Sequence, residues 1–342
     1  MADGATFRTG TEGDIARHGL TYCSDEMGGI RRLRAGRGFR YVDQDNTPVR
    51  DPDTLQRIKA LAIPPAWKDV WICAQATGHI QATGRDEKGR KQYRYHASWT
   101  SLQAEEKFTR LIGFARRLPR LRDAAERDLS RRGPCREKVC ATVVRLLEIT
   151  LIRVGNATYA RQNRSYGLTT LHKRHIEVDG TGLQFAFRGK SGVEHRLSVR
   201  DRRLARIVRS LHELPGQHLF KYRDEDGDMV PLTSDAVNAY IREHIGESFS
   251  AKDFRTWAGT LSAARFLRDQ APPSCERSAR RTVAACVRDV SRRLGNTPAV
   301  CRSSYVHPRV IELYEAGALC ESLPGSRTKG FEVALIRLLD KR

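Results

Sequence analysis

The sequence predicts an α+β protein: a small β-rich N-terminal domain, then a mostly α-helical domain containing a three-stranded β meander. Three observations carry this. From Gly38 to Trp99, short aromatic and β-branched runs alternate with turn residues, which is the texture of strands. After Trp99, apolar residues recur at helical spacing almost to the C-terminus. Residues 175–199 interrupt that spacing with two Gly-containing turns, the mark of a meander. A chain of 342 residues is also too long for one small core. The expected organisation is a polar, Gly-rich and loosely ordered segment over 1–20, a β-rich domain over 21–98, and a helical domain with a C-terminal tail over 99–342.

Within the first domain, strands are expected around Phe39, Tyr41 and Val42, over 70–73, over 78–83 and at Tyr93-Arg94-Tyr95, with a short helix over 53–62. The turns are Asp45-Asn46, Ile63-Pro64-Pro65 and Asp86-Glu87-Lys88-Gly89. Residues 84–96 form a basic hairpin that includes Arg90. Its second strand alternates, with Gln92, Arg94 and His96 facing one way and Tyr93 and Tyr95 the other. Interleaved basic, amide and phenol groups suit a surface that reads a nucleic-acid groove. A solvated edge strand over core tyrosines has the same pattern.

In the second domain, residues 101–129 read as one or two Arg-rich helices, and Gly133-Pro134 as a break. The next helix is strongly apolar, with Val139, Val143, Leu146 and Leu147 at helical spacing and Gly155 as its expected C-cap. Arg153 then projects from a helix end, where cations are favoured, either as a cap or as a site residue. The meander places Lys190 at the tip of its second hairpin, a mobile amine. Helices are expected over 201–213, 233–245, 253–268 and 280–294, the last capped by Gly295. In the third of these, Arg255 stands off the apolar stripe above Gly259 and Ser262, small residues that leave room for a backbone or a ligand, with Lys252 one turn earlier. Tyr305 follows a Gly-Asn-Thr-Pro turn and precedes a proline-initiated helix. The tail spacing Val333, Ile336, Leu339 favours packing.

Lys and Arg number 61 against 40 Asp and Glu, a formal net charge of +21, which favours a polyanionic partner, nucleic acid first. The eight cysteines have no zinc-site or disulfide spacing. No apolar run approaches a membrane span, and the N-terminus lacks signal-peptide character. The expected setting is a reducing, soluble compartment, the cytoplasm. In chain order, Arg153, Lys190, Arg255, Asn296 and Tyr305 supply two guanidinium forks, an amine, a neutral amide donor and a phenol. With no carboxylate or histidine cluster to hold a metal, these are the parts of metal-free phosphoryl transfer, where positioning and neutralisation of non-bridging oxygens dominate.

From about Arg37 through Leu339 the chain resembles the type IB DNA topoisomerases of the small, poxvirus-like bacterial kind. The resemblance rests on Ile63-Pro64-Pro65-Ala66-Trp67, on the hairpin from Gly84 to Tyr95, on Ile152-Arg153-Val154-Gly155, on Tyr166-Gly167-Leu168-Thr169-Thr170-Leu171, on Lys252-Asp253-Phe254-Arg255-Thr256, and on Gly295-Asn296-Thr297-Pro298 through Tyr305. It implies relaxation of supercoiled duplex DNA without ATP, metal or other cofactor. Tyr305 is then the nucleophile that forms a 3′-phosphotyrosyl link, Lys190 the general acid, and Arg153 and Arg255 the neutralising cations. It also implies a monomer that clamps DNA, needs no protein partner and associates with the bacterial nucleoid. Arg90, Gln92, Tyr93, Tyr95, Tyr159 and Lys252 become DNA contacts.

The sequence departs from the viral pattern at Asn156 and Thr158, where viral members carry lysines that help recognise a pentameric cleavage sequence, and at Asn296, where many relatives have histidine. Two alternatives remain. A tyrosine site-specific recombinase shares the chemistry but usually has histidine where Lys252 stands, three residues before the second arginine. A non-catalytic DNA-binding protein needs the charge but not Tyr305.

Overall fold

The computed structural model describes residues 12–340, which fall into two compact units divided between Lys107 and Phe108. Of the segment expected to be loosely ordered, residues 1–11 lie outside the described residues. Its remainder carries a short helix, α1 (Glu12–Ala16), whose Ile15 is buried with Leu20 and Trp99.

In the first unit, β1 (Ile30–Ala35), β2 (Gly38–Val42), α2 (Pro52–Ala60), β3 (Lys68–Ile72), β4 (Ile80–Arg85) and β5 (Lys91–Tyr95) follow in order. The strands form one antiparallel sheet in the order β2-β1-β3-β4-β5, so β5 is an edge. Asp51 caps α2, accepting from the Thr54 N–H at 2.8 Å ahead of Pro52 in the first turn. The helix buries Ile58 with Ile30, Val70, Ile72 and Ala82. Fully burying a side chain of this kind contributes about 1.5–3 kcal/mol. Strand β1 was not among the expected strands, since Ile30-Arg31-Arg32-Leu33-Arg34 is charged and lacks the aromatic and turn-bounded texture of the others. Tertiary contacts override that reading. Arg32 lies over the Phe39 ring at 4.2 Å and donates to the carbonyls of Ile63, Pro64 and Trp67, so it holds the Ile63–Trp67 loop in place.

The expected alternation along β5 is present. Tyr93 and Tyr95 stack at 5.8 Å, while Arg94 donates to the carbonyls of Leu61 and Ala62.

The long helix α3 (Ala97–Asp128) is one helix running through Pro119, and the boundary between the units falls inside it. After it come α4 (Arg136–Thr150), α5 (Ala157–Asn163), β6 (Ile176–Asp179), β7 (Gly182–Arg188), β8 (Glu194–Arg200) and α6 (Arg202–Glu213). An unforeseen two-stranded ribbon, β9 (Lys221–Arg223) with β10 (Met229–Pro231), precedes α7 (Ser234–Ile245), α8 (Ala251–Arg268) and α9 (Glu276–Leu294). The chain closes with α10 (Pro298–Ser304), α11 (Pro308–Glu315), α12 (Leu319–Ser322) and α13 (Phe331–Asp340). The meander is antiparallel in the order β6-β7-β8, as its turns predict.

Helix α4 is the centre of this unit: Val139, Cys140, Ala141, Val143, Val144, Leu146 and Leu147 are all buried, and it packs against α7 and α8. The tail packs as expected but by a different face, since Phe331, Leu335 and Leu339 are buried while Val333 is exposed. Glu332 then turns inward, accepting from the Trp257 indole at 2.6 Å and pairing with Arg122 at 3.1 Å.

Candidate active site

Helix α4 stops at Thr150, and Leu151, in the left-handed region at φ 57°, is its cap; the expected cap, Gly155, lies well beyond the helix. Arg153 therefore sits on an extended connection and not on a helix end. Two backbone hydrogen bonds fix that connection, Leu168 N–H to Arg153 O at 2.9 Å and Thr169 N–H to Val154 O at 2.7 Å. The Tyr166–Leu171 stretch is thus the rail that carries Arg153. At its start, Tyr166 N–H donates to Arg188 O at 2.8 Å, which ties the rail to the hairpin that bears Lys190. A side chain at Gly167 would place Cβ 2.5 Å from Arg153 O, so the close approach needs glycine.

Arg255 is buried, 5% exposed, within α8. Its Nη1 donates to Leu151 O and its Nη2 to Leu294 O, the latter at 2.5 Å, joining the ends of α4 and α9. The small residue expected to leave room near Arg255 serves a backbone: a Cβ on Gly259 would stand 2.6 Å from Tyr305 O. Thr260 Oγ1 donates to the same carbonyl at 3.2 Å and accepts from His307 N–H at 3.1 Å, so α8 grips both sides of Tyr305. Gly259 was expected from the sequence to leave room for a backbone or a ligand, and the backbone it admits is that of Tyr305; Thr260 was not singled out, and nothing local marks it.

Gly295 caps α9 in the left-handed region at φ +58°, as expected, and turns the chain to Asn296. Thr297 caps α10 ahead of Pro298, and Tyr305 closes that helix, half-buried. Arg153 Nη2 donates to Asn296 Oδ1 at 2.6 Å. The Arg255 guanidinium carbon lies 5.6 Å from the centre of the Tyr305 ring. Arg153, Arg255, Asn296 and Tyr305, spread over half the sequence, thus meet.

The electrostatics of the meeting point are unusual. Burial, then the neighbouring charge of Arg153, pulls Arg255 down to about 10 against the partial support of Tyr305. Burial likewise lowers Arg153, again offset by Tyr305. Among the described residues neither guanidinium pairs with a carboxylate. Two donors there, Arg255 Nε and Asn296 Nδ2, are buried with no partner. Each such orphan costs about 1–3 kcal/mol in the free protein, a cost that an anion accepting both would remove.

Lys190 is exposed at the hairpin tip, and its ammonium makes no hydrogen bond or ion pair among the described residues. The geometry alone does not bring it to the other four. Tyr159 lies half-buried on α5, whose cap is Asn156, accepting from Tyr159 N–H at 3.0 Å. Lys252 is exposed in the first turn of α8. In the first unit, Arg90 pairs with Asp86 at 2.6 Å, Gln92 donates to the same carboxylate at 3.1 Å, and Tyr93 is exposed.

Comparison with known proteins agrees with this architecture. Residues 96–319 match the family model described as eukaryotic DNA topoisomerase I, catalytic core, and residues 38–86 match the bacterial DNA topoisomerase IB N-terminal domain. DNA topoisomerase 1B of Acanthamoeba polyphaga mimivirus is 34% identical over 296 residues, covering 84% of this chain and 88% of the relative. DNA topoisomerase 1B of vaccinia virus (strain Copenhagen) is 23% identical over 293 residues, covering 82% and 87%. The stretch that holds the meander, Arg153, Arg255 and Tyr305 is thus a DNA topoisomerase catalytic core by class. The chain belongs to the type IB DNA topoisomerase family and is a DNA topoisomerase of that type.

Proposed function

We propose that this enzyme relaxes supercoiled duplex DNA by transient cleavage of one strand through Tyr305. The observation that carries the reading is the carboxylate-free pair Arg153 and Arg255, with orphaned Arg255 Nε and Asn296 Nδ2 donors, beside the Tyr305 phenol. A phosphodiester supplies what this site lacks, an anion with two non-bridging oxygens.

In the proposed step the Tyr305 oxygen bonds to phosphorus as the phenol gives up its proton to solvent. The bond from phosphorus to the 5′ oxygen breaks, and Lys190 protonates that leaving oxygen. Arg153, Arg255 and Asn296 stabilise the charge that builds on the non-bridging oxygens. The cut strand rotates, and the 5′-hydroxyl attacks the 3′-phosphotyrosine to reseal. Bond energy is held in the covalent link, so this cycle consumes no nucleotide. Lys190 reaches the leaving oxygen only when DNA brings the exposed hairpin to the site. Tyr159 and Lys252 act as backbone contacts around the catalytic groups, and Arg90, Gln92, Tyr93 and Tyr95 as groove contacts from the β-rich unit. The chain acts as a monomer.

The test is relaxation of supercoiled plasmid in EDTA without ATP, with detergent trapping of covalent complexes. Wild type relaxes the plasmid and is trapped on a 3′ end, and Tyr305→Phe does neither. Equal relaxation by Tyr305→Phe removes the nucleophile from the reading. Strand exchange between two sites, in place of relaxation, turns it to recombination.

A further inference from the structure

His195, which the sequence reading passed over, lies next to the site without belonging to the five groups above. It stands opposite Phe187 in the β7–β8 ladder, and the two rings stack at 5.0 Å and 13°. The imidazole therefore crosses the hairpin at its turn end, one pair short of the last, just below the tip that carries Lys190. Its free edge is enclosed by two glycines. A Cβ on Gly189 would stand 2.6 Å from both Cδ2 and Nε2 of the ring, and a Cβ on Gly295 would stand 3.2 Å from Cε1. Gly189 immediately precedes Lys190, and Gly295 immediately precedes Asn296. One ring thus touches the backbone that carries the amine and the backbone that carries the amide.

Gly189 has φ −94°, an ordinary conformation for any residue, so its small size is what the ring requires. Burial, followed by the charges of Arg153 and Arg255, lowers the basicity of His195, which keeps the ring neutral and compatible with both cations. No hydrogen bond holds the ring among the described residues; shape and stacking do.

We propose that His195 is a positioning residue for strand cleavage: its imidazole, wedged between Gly189 and Gly295, sets the Lys190 hairpin against the Asn296 turn. This rests on the assignment of Lys190 as general acid. The hairpin is otherwise an exposed tip, and its amine acts only if the turn end of the hairpin is registered on the Asn296 turn beside the phosphate.

The experiment is single-turnover cleavage of a duplex containing either the natural linkage or a 5′-bridging phosphorothiolate, whose thiolate leaves without protonation. His195→Ala is expected to slow natural cleavage by about 10- to 100-fold, the scale for misplacing a catalytic group. DNA affinity and thermal midpoint stay near wild type, and the sulfur substrate restores most of the rate. Gly189→Ala, which keeps His195 but drives a methyl into its ring, shows the same sulfur-sensitive slowing and covers the case in which His195→Ala does not fold. In the double variant the new methyl enters the vacated space, so the two losses are less than multiplicative. Wild-type cleavage by both single variants overturns the proposal, as does a sulfur substrate that restores Lys190→Ala but neither of them. If sulfur fails to restore Lys190→Ala, the general-acid assignment is wrong. The wedge is then judged by the double variant, where multiplicative losses refute it and non-multiplicative losses uphold it.

Discussion

Replacing Asn296 with alanine separates catalysis from folding, because the two respond to different atoms of one amide. In the free protein Oδ1 accepts from Arg153 at 2.6 Å, while Nδ2 is buried with no partner. Alanine deletes a hydrogen bond to a charged group, worth about 1.5–3 kcal/mol, and also deletes an orphan donor whose burial costs about 1–3 kcal/mol. The terms nearly cancel. Stability should change by no more than about 1 kcal/mol, a shift of roughly 2–4 °C in thermal midpoint for a unit of this size. In the proposed transition state nothing cancels, since there Nδ2 donates to a non-bridging oxygen. Loss of such a donor lowers the rate by about 10²–10³, or about 2.7–4 kcal/mol.

The assay is single-turnover formation of the covalent complex, run beside a thermal melt of the same preparation. Asn296→Asp sharpens it: the acceptor for Arg153 is kept, the donor is lost, and a carboxylate enters the arginine pair. It should fold at least as well as Asn296→Ala and cleave more slowly. Cleavage by Asn296→Ala near the wild-type rate refutes the donor role. A fall in midpoint large enough to account for the lost rate refutes the cancellation.

Two further outcomes follow from the same geometry. Gly259→Ala puts a methyl 2.6 Å from Tyr305 O, a backbone atom that cannot swing away. It should cost about 1–3 kcal/mol of stability by overpacking and slow cleavage while DNA affinity in a filter-binding assay stays intact; an unchanged cleavage rate would show that Tyr305 tolerates displacement. His175 is buried and, through burial and then His172 and Arg174, held down to about 4 against an ordinary 6.5. The unfolded chain takes up that proton first, so the contribution of His175 to stability is complete above 6.5 and is lost as pH falls from 6.5 towards about 4. Urea midpoints across that window should fall less steeply for His175→Asn than for wild type, and equal slopes would exclude His175 as a source.

What the sequence determines here is whatever depends on neighbours in the chain. The meander declares itself because Asp179-Gly180-Thr181-Gly182 and Gly189-Lys190-Ser191-Gly192 are local turn signals between alternating runs. The caps at Asp51, Thr297 and Gly295 are local for the same reason. The five proposed site residues were picked out because their chemistry, ordered along the chain, suits metal-free phosphoryl transfer and resembles one family; no single one was distinctive, and the fold brings together Arg153, Arg255, Asn296 and Tyr305.

Only the tertiary structure decided the rest. Strand β1 exists because a distant loop of carbonyls and the Phe39 ring satisfy Arg32, which no window of sequence records. Arg153 left the helix end assigned to it because a left-handed Leu151 stops α4 early and the Tyr166–Leu171 rail captures the chain. Arg255 proved buried because its donors reach carbonyls at the ends of two other helices, a pairing across 104 and 39 residues. His195 was invisible for the same cause. A histidine on a strand carries no signal until the fold lays two glycines from separate elements against its ring.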